Sequence, residues 1–235
     1  MYCNNKVVHT IKEGDSLYKL SRQYMTTVTE LIMGNPGVNP YNLQVGMKLT
    51  ICPGQGYQET EQEEMTQETR AQNMERAWME HVMLARMFMV SALNDLPDIN
   101  AVEERMQRNI GEIANQFTDF WPRETRNQLE QMLSEHEQTF AALLQDLKTG
   151  NQQSYKENEQ KWYEGGNMLS DMLSRANPAY RRRDLNRYFA DHLSLLLNMA
   201  NEFWNGDYEK SMETFDIARE QAEELGRYLA ENLRS

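Results

Sequence analysis

The sequence lacks several features that define large classes of protein. No apolar run approaches the roughly 18 residues of a transmembrane helix, so no membrane insertion is expected. The N-terminal segment contains no apolar stretch of a secretory signal, which predicts either no such signal or a processed start. Basic residues are outnumbered 24 to 36 and the net charge is -12, which argues against nucleic acid as a partner, because phosphate binding needs a basic surface.

Cysteine and the common catalytic motifs are also scarce. The chain has two cysteines, Cys3 and Cys52, which are too few for a disulfide framework and do not form a CxxC pair. They are either free thiols in a reducing compartment or a bridge between the first and last strands of the N-terminal segment. We find no phosphate-binding loop, GxSxG, HExxH or dinucleotide fingerprint, so no catalytic residue is assigned and no enzyme class is indicated.

Charge, glycine and proline are unevenly distributed along the chain. Residues 1–57 hold six of the twelve glycines and three of the six prolines, and five basic against three acidic residues give them a net charge of +2. The remainder therefore carries -14 and is rich in the helix formers Glu, Gln, Leu, Met and Ala. We predict a small α+β domain at 1–54, an acidic linker at 55–66 and an all-α domain at 67–235.

The N-terminal segment has the pattern of a βααβ unit. Branched residues predict strands at 6–12 and 47–52, which are free to pair. Asp15 or Ser16 can cap a first helix, and the capping box at 27–30 begins a second. The Asn-Pro-Gly sequence at 35–37 ends that second helix, because Pro and Gly cannot continue it.

With these elements in place, residues 6–53 resemble a LysM domain from end to end. The motifs that carry the resemblance are His9-Thr10-Ile11, Gly14-Asp15-Ser16-Leu17, the Leu20-Ser21 helix position, Leu31, Asn35-Pro36, Asn39-Pro40, Leu43, Gly46 and Leu49–Pro53. The resemblance implies binding of β-1,4-linked GlcNAc-type sugar, such as peptidoglycan or a chitin-type oligosaccharide, in a shallow groove between two loops. It assigns to that groove Gly14, Asp15, Ser16, Leu17, Met33, Asn35, Pro36, Val38, Asn39 and Leu43.

Some groove residues have a second interpretation. Gly14, Asp15, Asn35 and Pro36 are residue types that also cap helices and form turns, so each could serve the fold alone. We keep both interpretations open at this point.

The C-terminal part predicts six helices, which we place at 67–95, 99–120, 123–148, 152–176, 181–204 and 208–232. Three histidines, each preceded by an acid, recur at spacings of 55 and 56 residues. They are His81, His136 and His192. The residues three positions before and seven positions after each histidine are apolar in all three copies. We therefore predict a six-helix bundle built from three related α-hairpins.

The histidines lie on apolar helical stripes, so we expect their rings to face the interior. Thirty-one residues after each histidine come Glu112, Asn167 and Glu223 on the partner helices. If the hairpins converge, His81, His136, His192, Glu112 and Glu223 could bind a transition metal. The alternative is that the histidines form structural hydrogen bonds within a buried polar layer and that the protein holds no cofactor.

The helical part also resembles a family of uncharacterised bacterial helical-bundle proteins. The matching motifs are Glu80-His81-Val82, Arg86-Met87, Leu96-Pro97-Asp98, Glu135-His136, Trp162-Tyr163 and Gly206-Asp207-Tyr208. This resemblance implies no activity. Our functional hypothesis is a non-enzymatic LysM protein of the cell wall or spore envelope, which anchors the bundle to GlcNAc-containing glycan. The alternatives are a LysM-targeted metal-binding three-His bundle or enzyme, and a self-assembling homo-oligomer.

Overall fold

The computed structural model of the chain describes residues 6–12, 15–39, 42–54 and 67–233. The chain divides into two compact units, Met1–Glu64 and Met65–Ser235. The predicted linker at 55–66 lies outside the described residues, so its bounds stay a prediction. Cys52 is disulfide-bonded and the described residues contain no free thiol, whereas Cys3 lies outside them.

The N-terminal unit has the predicted βααβ order. Its two strands form an antiparallel sheet whose register pairs Val7 with Ile51 and Thr10 with Lys48. The elements are β1 (Val7–Thr10), α1 (Leu17–Gln23), α2 (Val28–Gly34) and β2 (Lys48–Ile51).

Both short helices of this unit depend on capping and packing. The Ser16 hydroxyl accepts a hydrogen bond from the Lys19 amide at the start of α1, so Ser16 and not Asp15 is the cap. The predicted capping box of Thr27 and Glu30 begins α2. Helices of seven residues are unstable alone, so they also need a shared core. That core consists of Ile11, Leu17, Leu20, Tyr24, Leu31, Leu49 and Ile51.

The C-terminal unit contains the six predicted helices within its described part. The inner helices α3, α5 and α7 pack against one another, and each outer helix packs against two inner ones. Consecutive pairs therefore form three hairpins arranged around a common centre. None of the described helices is long and apolar enough to cross a membrane. The helices are α3 (Gln67–Leu93), α4 (Ile99–Asn115), α5 (Arg123–Thr149), α6 (Gln152–Ala176), α7 (Arg182–Trp204) and α8 (Tyr208–Glu231).

One predicted helix end is wrong. The sequence predicts that α4 ends at residue 120, but the helix ends at Asn115 and the chain continues in tight turns. These turns bring Phe117 and Trp121 into a parallel stack with ring centroids 4.1 Å apart, and both side chains are buried. Burial of two large aromatic side chains favours the turns over further helix, which the helical periodicity could not indicate.

Gly226 marks the closest approach between two helices of the unit. A Cβ atom at this position of α8 would lie 2.6 Å from the Cα of Glu75 and 2.9 Å from the Met74 carbonyl oxygen on α3. These are backbone atoms, which cannot rotate away. Close packing of α8 on α3 therefore requires glycine here.

We predict that Gly226→Ala destabilises the helical unit by about 1–3 kcal/mol, because the helices must separate. The control is Gly111→Ala on α4, where the nearest atom to a Cβ is a side-chain oxygen at an ordinary 3.5 Å. That change should stabilise the unit by about 0.5–1 kcal/mol through helix propensity. Tryptophan fluorescence during urea unfolding measures both, since all four tryptophans belong to this unit. Equal effects of the two changes would contradict the prediction.

Candidate functional site

The two loops of the predicted groove meet at the end of the sheet. The Ile11 amide donates to the Met47 carbonyl at 2.8 Å, and the Gly46 amide donates to the Ile11 carbonyl at 2.8 Å. These bonds join the start of the first strand–helix loop to the end of the second helix–strand loop. The side chains of Val38 and Leu43 also pack against the core that contains Leu17. The fold therefore holds both loops on one small scaffold.

Asp15 is held by a network that crosses the sheet and the first loop. Its Oδ2 atom is 2.7 Å from His9 Nε2 and accepts a hydrogen bond from the Lys12 amide at 2.7 Å. The other ring nitrogen of His9 is 2.9 Å from the Tyr24 hydroxyl. Partial burial acts to raise the pKa of Asp15, but the hydrogen bonds from His9 and Lys12 outweigh it and lower the pKa. Asp15 is therefore an ionised residue that shapes the loop.

Asn35 has a comparable role in the second loop. Its Nδ2 donates to the Leu31 and Thr50 carbonyls, both at 2.8 Å, and its Oδ1 accepts from the Thr50 amide at 2.7 Å. One side chain thus ties the end of α2 to β2. Both the oxygen and the nitrogen of the side-chain carboxamide are engaged, which supports a structural role for this predicted groove residue.

The other groove residues divide by exposure. Met33 is 69% exposed, and Pro36 and Asn39 are also exposed, so these three can contact a ligand directly. Leu17 is buried, while Val38 and Leu43 are partly buried against the core. Gly14 lies outside the described residues.

The three histidines of the helical unit face its interior, as predicted. His81, His136 and His192 are between 2% and 7% exposed. The rings of His81 and His192 stack with centroids 5.7 Å apart. The Nδ1 of His81 is 3.2 Å from the Asn109 carboxamide oxygen, and the Nδ1 of His192 is 3.3 Å from that of Gln221.

His136 has a different environment. Its ring stacks on the indole of Trp162 with centroids 3.6 Å apart and an interplanar angle of 14°. Trp162 is held in turn by a hydrogen bond from its Nε1 to the Leu193 carbonyl. The Nε2 of His136 is buried and has no hydrogen-bond partner among the described residues, and its Nδ1 faces Gly165.

The predicted metal site does not assemble. Glu112 pairs with Arg105 at 3.2 Å and Glu223 pairs with Arg227 at 2.7 Å, and both carboxylates are more than 40% exposed. The outer helices α4 and α8 present uncharged carboxamides to His81 and His192, because burying a carboxylate costs far more free energy than solvating it at the surface. No group of three or more His, Cys, Asp or Glu side chains in the described ranges could hold a metal ion.

Sequence reasoning missed one acid in the buried layer. Glu137, next to His136, is 8% exposed and accepts a hydrogen bond from Gln107 Nε2 at 2.8 Å. Its Oε1 has no hydrogen-bond partner and lies 3.9 Å from His81 Nδ1. Burial, together with the charge of Glu103, raises the pKa of Glu137 to about 8. The sequence gives one indication of this burial, which is the apolar stripe of α5 next to Glu137. The residue type itself predicts the opposite, because glutamate usually lies at the surface.

We predict that the helical unit loses stability on mild acidification. Burial lowers the pKa of His81 to about 4 and that of His192 to about 3, and it lowers that of His136 well below the usual value. As the pH falls through about 6.5, the histidines of the unfolded chain therefore take up protons, whereas those of the folded unit stay neutral. The free energy of unfolding is thus highest above about pH 6.5 and decreases toward pH 4.

Urea unfolding followed by tryptophan fluorescence at pH 7 and pH 5 measures this effect. The matched variant His192→Phe should show a smaller loss between the two pH values, because it removes one of the protons taken up on unfolding. Equal midpoints for the wild-type chain at pH 7 and pH 5 would refute the prediction. The raised pKa of Glu137 changes stability in the opposite direction. Its contribution to the free energy of unfolding is full below pH 4.5 and is lost as the pH rises through 8.

We also predict that Asn35→Ala destabilises the N-terminal unit by about 1–3 kcal/mol, because two carbonyls and one amide lose a partner. Asn35→Asp should fall between wild type and alanine, since it keeps the acceptor for the Thr50 amide. Amide hydrogen exchange of β1 and β2 reports the opening free energy of this unit. Unchanged hydrogen-exchange protection in Asn35→Ala would show that the hydrogen bonds of Asn35 do not stabilise the unit.

Comparison with known proteins identifies the N-terminal unit. Residues 9–51 match the family model of the LysM domain, which indicates binding of GlcNAc-containing glycan. No curated protein and no solved structure matches the chain. The resemblance of the helical unit to an uncharacterised bacterial family is not supported by any homologue. The N-terminal unit of this chain therefore contains a LysM domain.

Proposed function

We propose that the protein is a non-enzymatic cell-wall protein whose LysM domain anchors the helical unit to peptidoglycan or to the cortex of a spore. The observation that carries the proposal is the LysM match at residues 9–51, together with the two loops held side by side at the end of the sheet. A single LysM module predicts weak binding to each glycan chain. On an insoluble wall, many adjacent sites offset that weakness.

The chemistry of the loops supports a glycan ligand. N-acetylated sugars present an apolar methyl group beside polar amide and hydroxyl groups. The exposed Met33 and Pro36 offer apolar surface, and Asn39, also exposed in the second loop, adds a carboxamide. The neighbouring backbone can supply further hydrogen bonds to acetamido groups.

The two described acids near the loops, Asp15 and Glu30, support a binding role over a hydrolytic one. Glycoside hydrolysis requires two carboxyl groups that face the sugar. Asp15 is already bonded to His9 and Lys12, and Glu30 accepts the hydrogen bonds of its capping box. Both acids therefore have structural partners, and we propose no catalytic role for them.

Co-sedimentation with purified peptidoglycan and with insoluble chitin tests the proposal. The wild-type chain should bind, and Met33→Glu should weaken binding at least about tenfold, which corresponds to roughly 1.4 kcal/mol. The reason is that the change places a charge on the exposed apolar surface of the second loop.

The matched control is Val8→Glu, which makes the same type of change on β1. Val8 is 61% exposed and lies outside both loops, so this variant should bind like wild type. Failure of the wild-type chain to sediment with either glycan would overturn the proposal. Equal loss of binding in Met33→Glu and Val8→Glu would contradict the assignment of glycan binding to the second loop.

A further inference from the structure

The second hairpin breaks a pattern that the first and third share. The outer-helix residues that face the histidines recur at a constant spacing of 56 positions: Asn109, Gly165 and Gln221. The first and third are carboxamides bonded to His81 and His192. Gly165 occupies the equivalent place beside His136, where a Cβ would lie 3.3 Å from the ring Nδ1.

Each carboxamide bridges two groups on its inner helix. Asn109 donates from Nδ2 to the Ala77 carbonyl at 3.0 Å, which leaves its Oδ1 to accept from His81 Nδ1 at 3.2 Å. Ala77 precedes the histidine by four residues. Gln221 makes the same two contacts in the third hairpin, to the carbonyl four residues before its histidine at 2.8 Å and to the ring Nδ1 at 3.3 Å. Both histidines therefore carry their proton on Nδ1.

The second hairpin presents the same two groups with nothing to bridge them. The equivalent donor is the Nδ1 of His136, and the equivalent acceptor is the carbonyl of Met132, four residues earlier. The Nδ1 of His136 faces Gly165, which has no side chain to bond it. The Nε2 on the other side of the ring is buried without a hydrogen-bond partner among the described residues.

A pocket opens at this point between α5 and α6. It has a volume of about 200 Å³ and is lined by His136, Gly165, Met132 and Met168, among others. A larger pocket of about 630 Å³ adjoins it and shares Met132, Glu135 and Met168. Polar side chains line this outer part, including Thr125, Gln128, Gln131, Asp171 and Arg175.

We propose that this pocket is a binding site for a small molecule that carries a primary carboxamide. The ligand's carbonyl oxygen accepts from His136 Nδ1, and its NH₂ group donates to the Met132 carbonyl. The ligand thereby reproduces the contacts that Asn109 and Gln221 make in the other two hairpins. The rest of the ligand lies in the outer pocket between α5 and α6.

The geometry selects a primary carboxamide over related groups. A secondary trans amide directs its N–H and C=O in opposite directions, so it cannot bridge two groups on one helix. A carboxylate has no donor for the Met132 carbonyl. Three acids, Glu135, Glu164 and Asp171, and two bases, Lys161 and Arg175, line the two pockets, so these pockets offer an anion no net positive charge. Burial, and then the charges of His192 and His81, lower the pKa of His136, so its ring is uncharged at neutral pH.

Propionamide titration of the full chain, followed by the ring ¹⁵N signals of the histidines, tests the proposal. The signals of His136 should shift and saturate, with half-saturation on the order of 10 mM for so small a ligand. N,N-dimethylpropionamide, which lacks the N–H donor, and propionate, which is charged, should shift these signals at least about tenfold less at equal concentration.

Two glycine variants provide the protein control. Gly165→Ala covers Nδ1 and should abolish the response, whereas Gly111→Ala on α4 should leave it unchanged. No shift of His136 with propionamide, or equal shifts with the dimethyl amide, would overturn the proposal. An undiminished response in folded Gly165→Ala would also overturn it. The readout lies entirely in the helical unit, so none of these outcomes depends on glycan binding.

Discussion

The organisation of the helical unit depends on the hydrogen bond between a buried histidine and a carboxamide on the neighbouring helix. This bond occurs in the first and third hairpins, where it satisfies a ring nitrogen that water cannot reach. A polar pair inside an apolar interface also fixes the register of the two helices, because a shift in either direction leaves both groups without a partner. The stacked rings of His81 and His192 place these two pairs side by side near the centre of the unit.

The second hairpin keeps the histidine and loses the carboxamide. Stacking on Trp162 holds the His136 ring in place, so the missing bond leaves a defined polar group and an adjoining pocket instead of a collapsed core. Three related hairpins thus provide an internal comparison: two show the satisfied arrangement, and the third shows which chemical group is absent. The unusual feature of this unit is the difference between its repeats.

Much of the architecture follows from local sequence patterns. The capping box at Thr27 and Glu30, the Pro-Gly stop after α2 and the apolar periodicity of the long helices predict the elements and their order. The histidines face inward because they occupy apolar stripes. Tertiary packing decides the rest: helix rotation selects Asn109 over Glu112, and aromatic stacking ends α4 early. The roles of Asp15 and Asn35 in holding the loops also depend on partners distant in sequence, which spacing alone does not reveal.

The central functional claim is that the LysM loops bind GlcNAc-containing glycan. Titration of the ¹⁵N-labelled full chain with a GlcNAc tetramer tests it most directly, with the amide signals recorded residue by residue. The account predicts saturable shifts concentrated at residues 15–17 and 33–43, which form the two loops of the predicted groove. Shifts confined to the helical unit, or no shifts at millimolar tetramer, would contradict it.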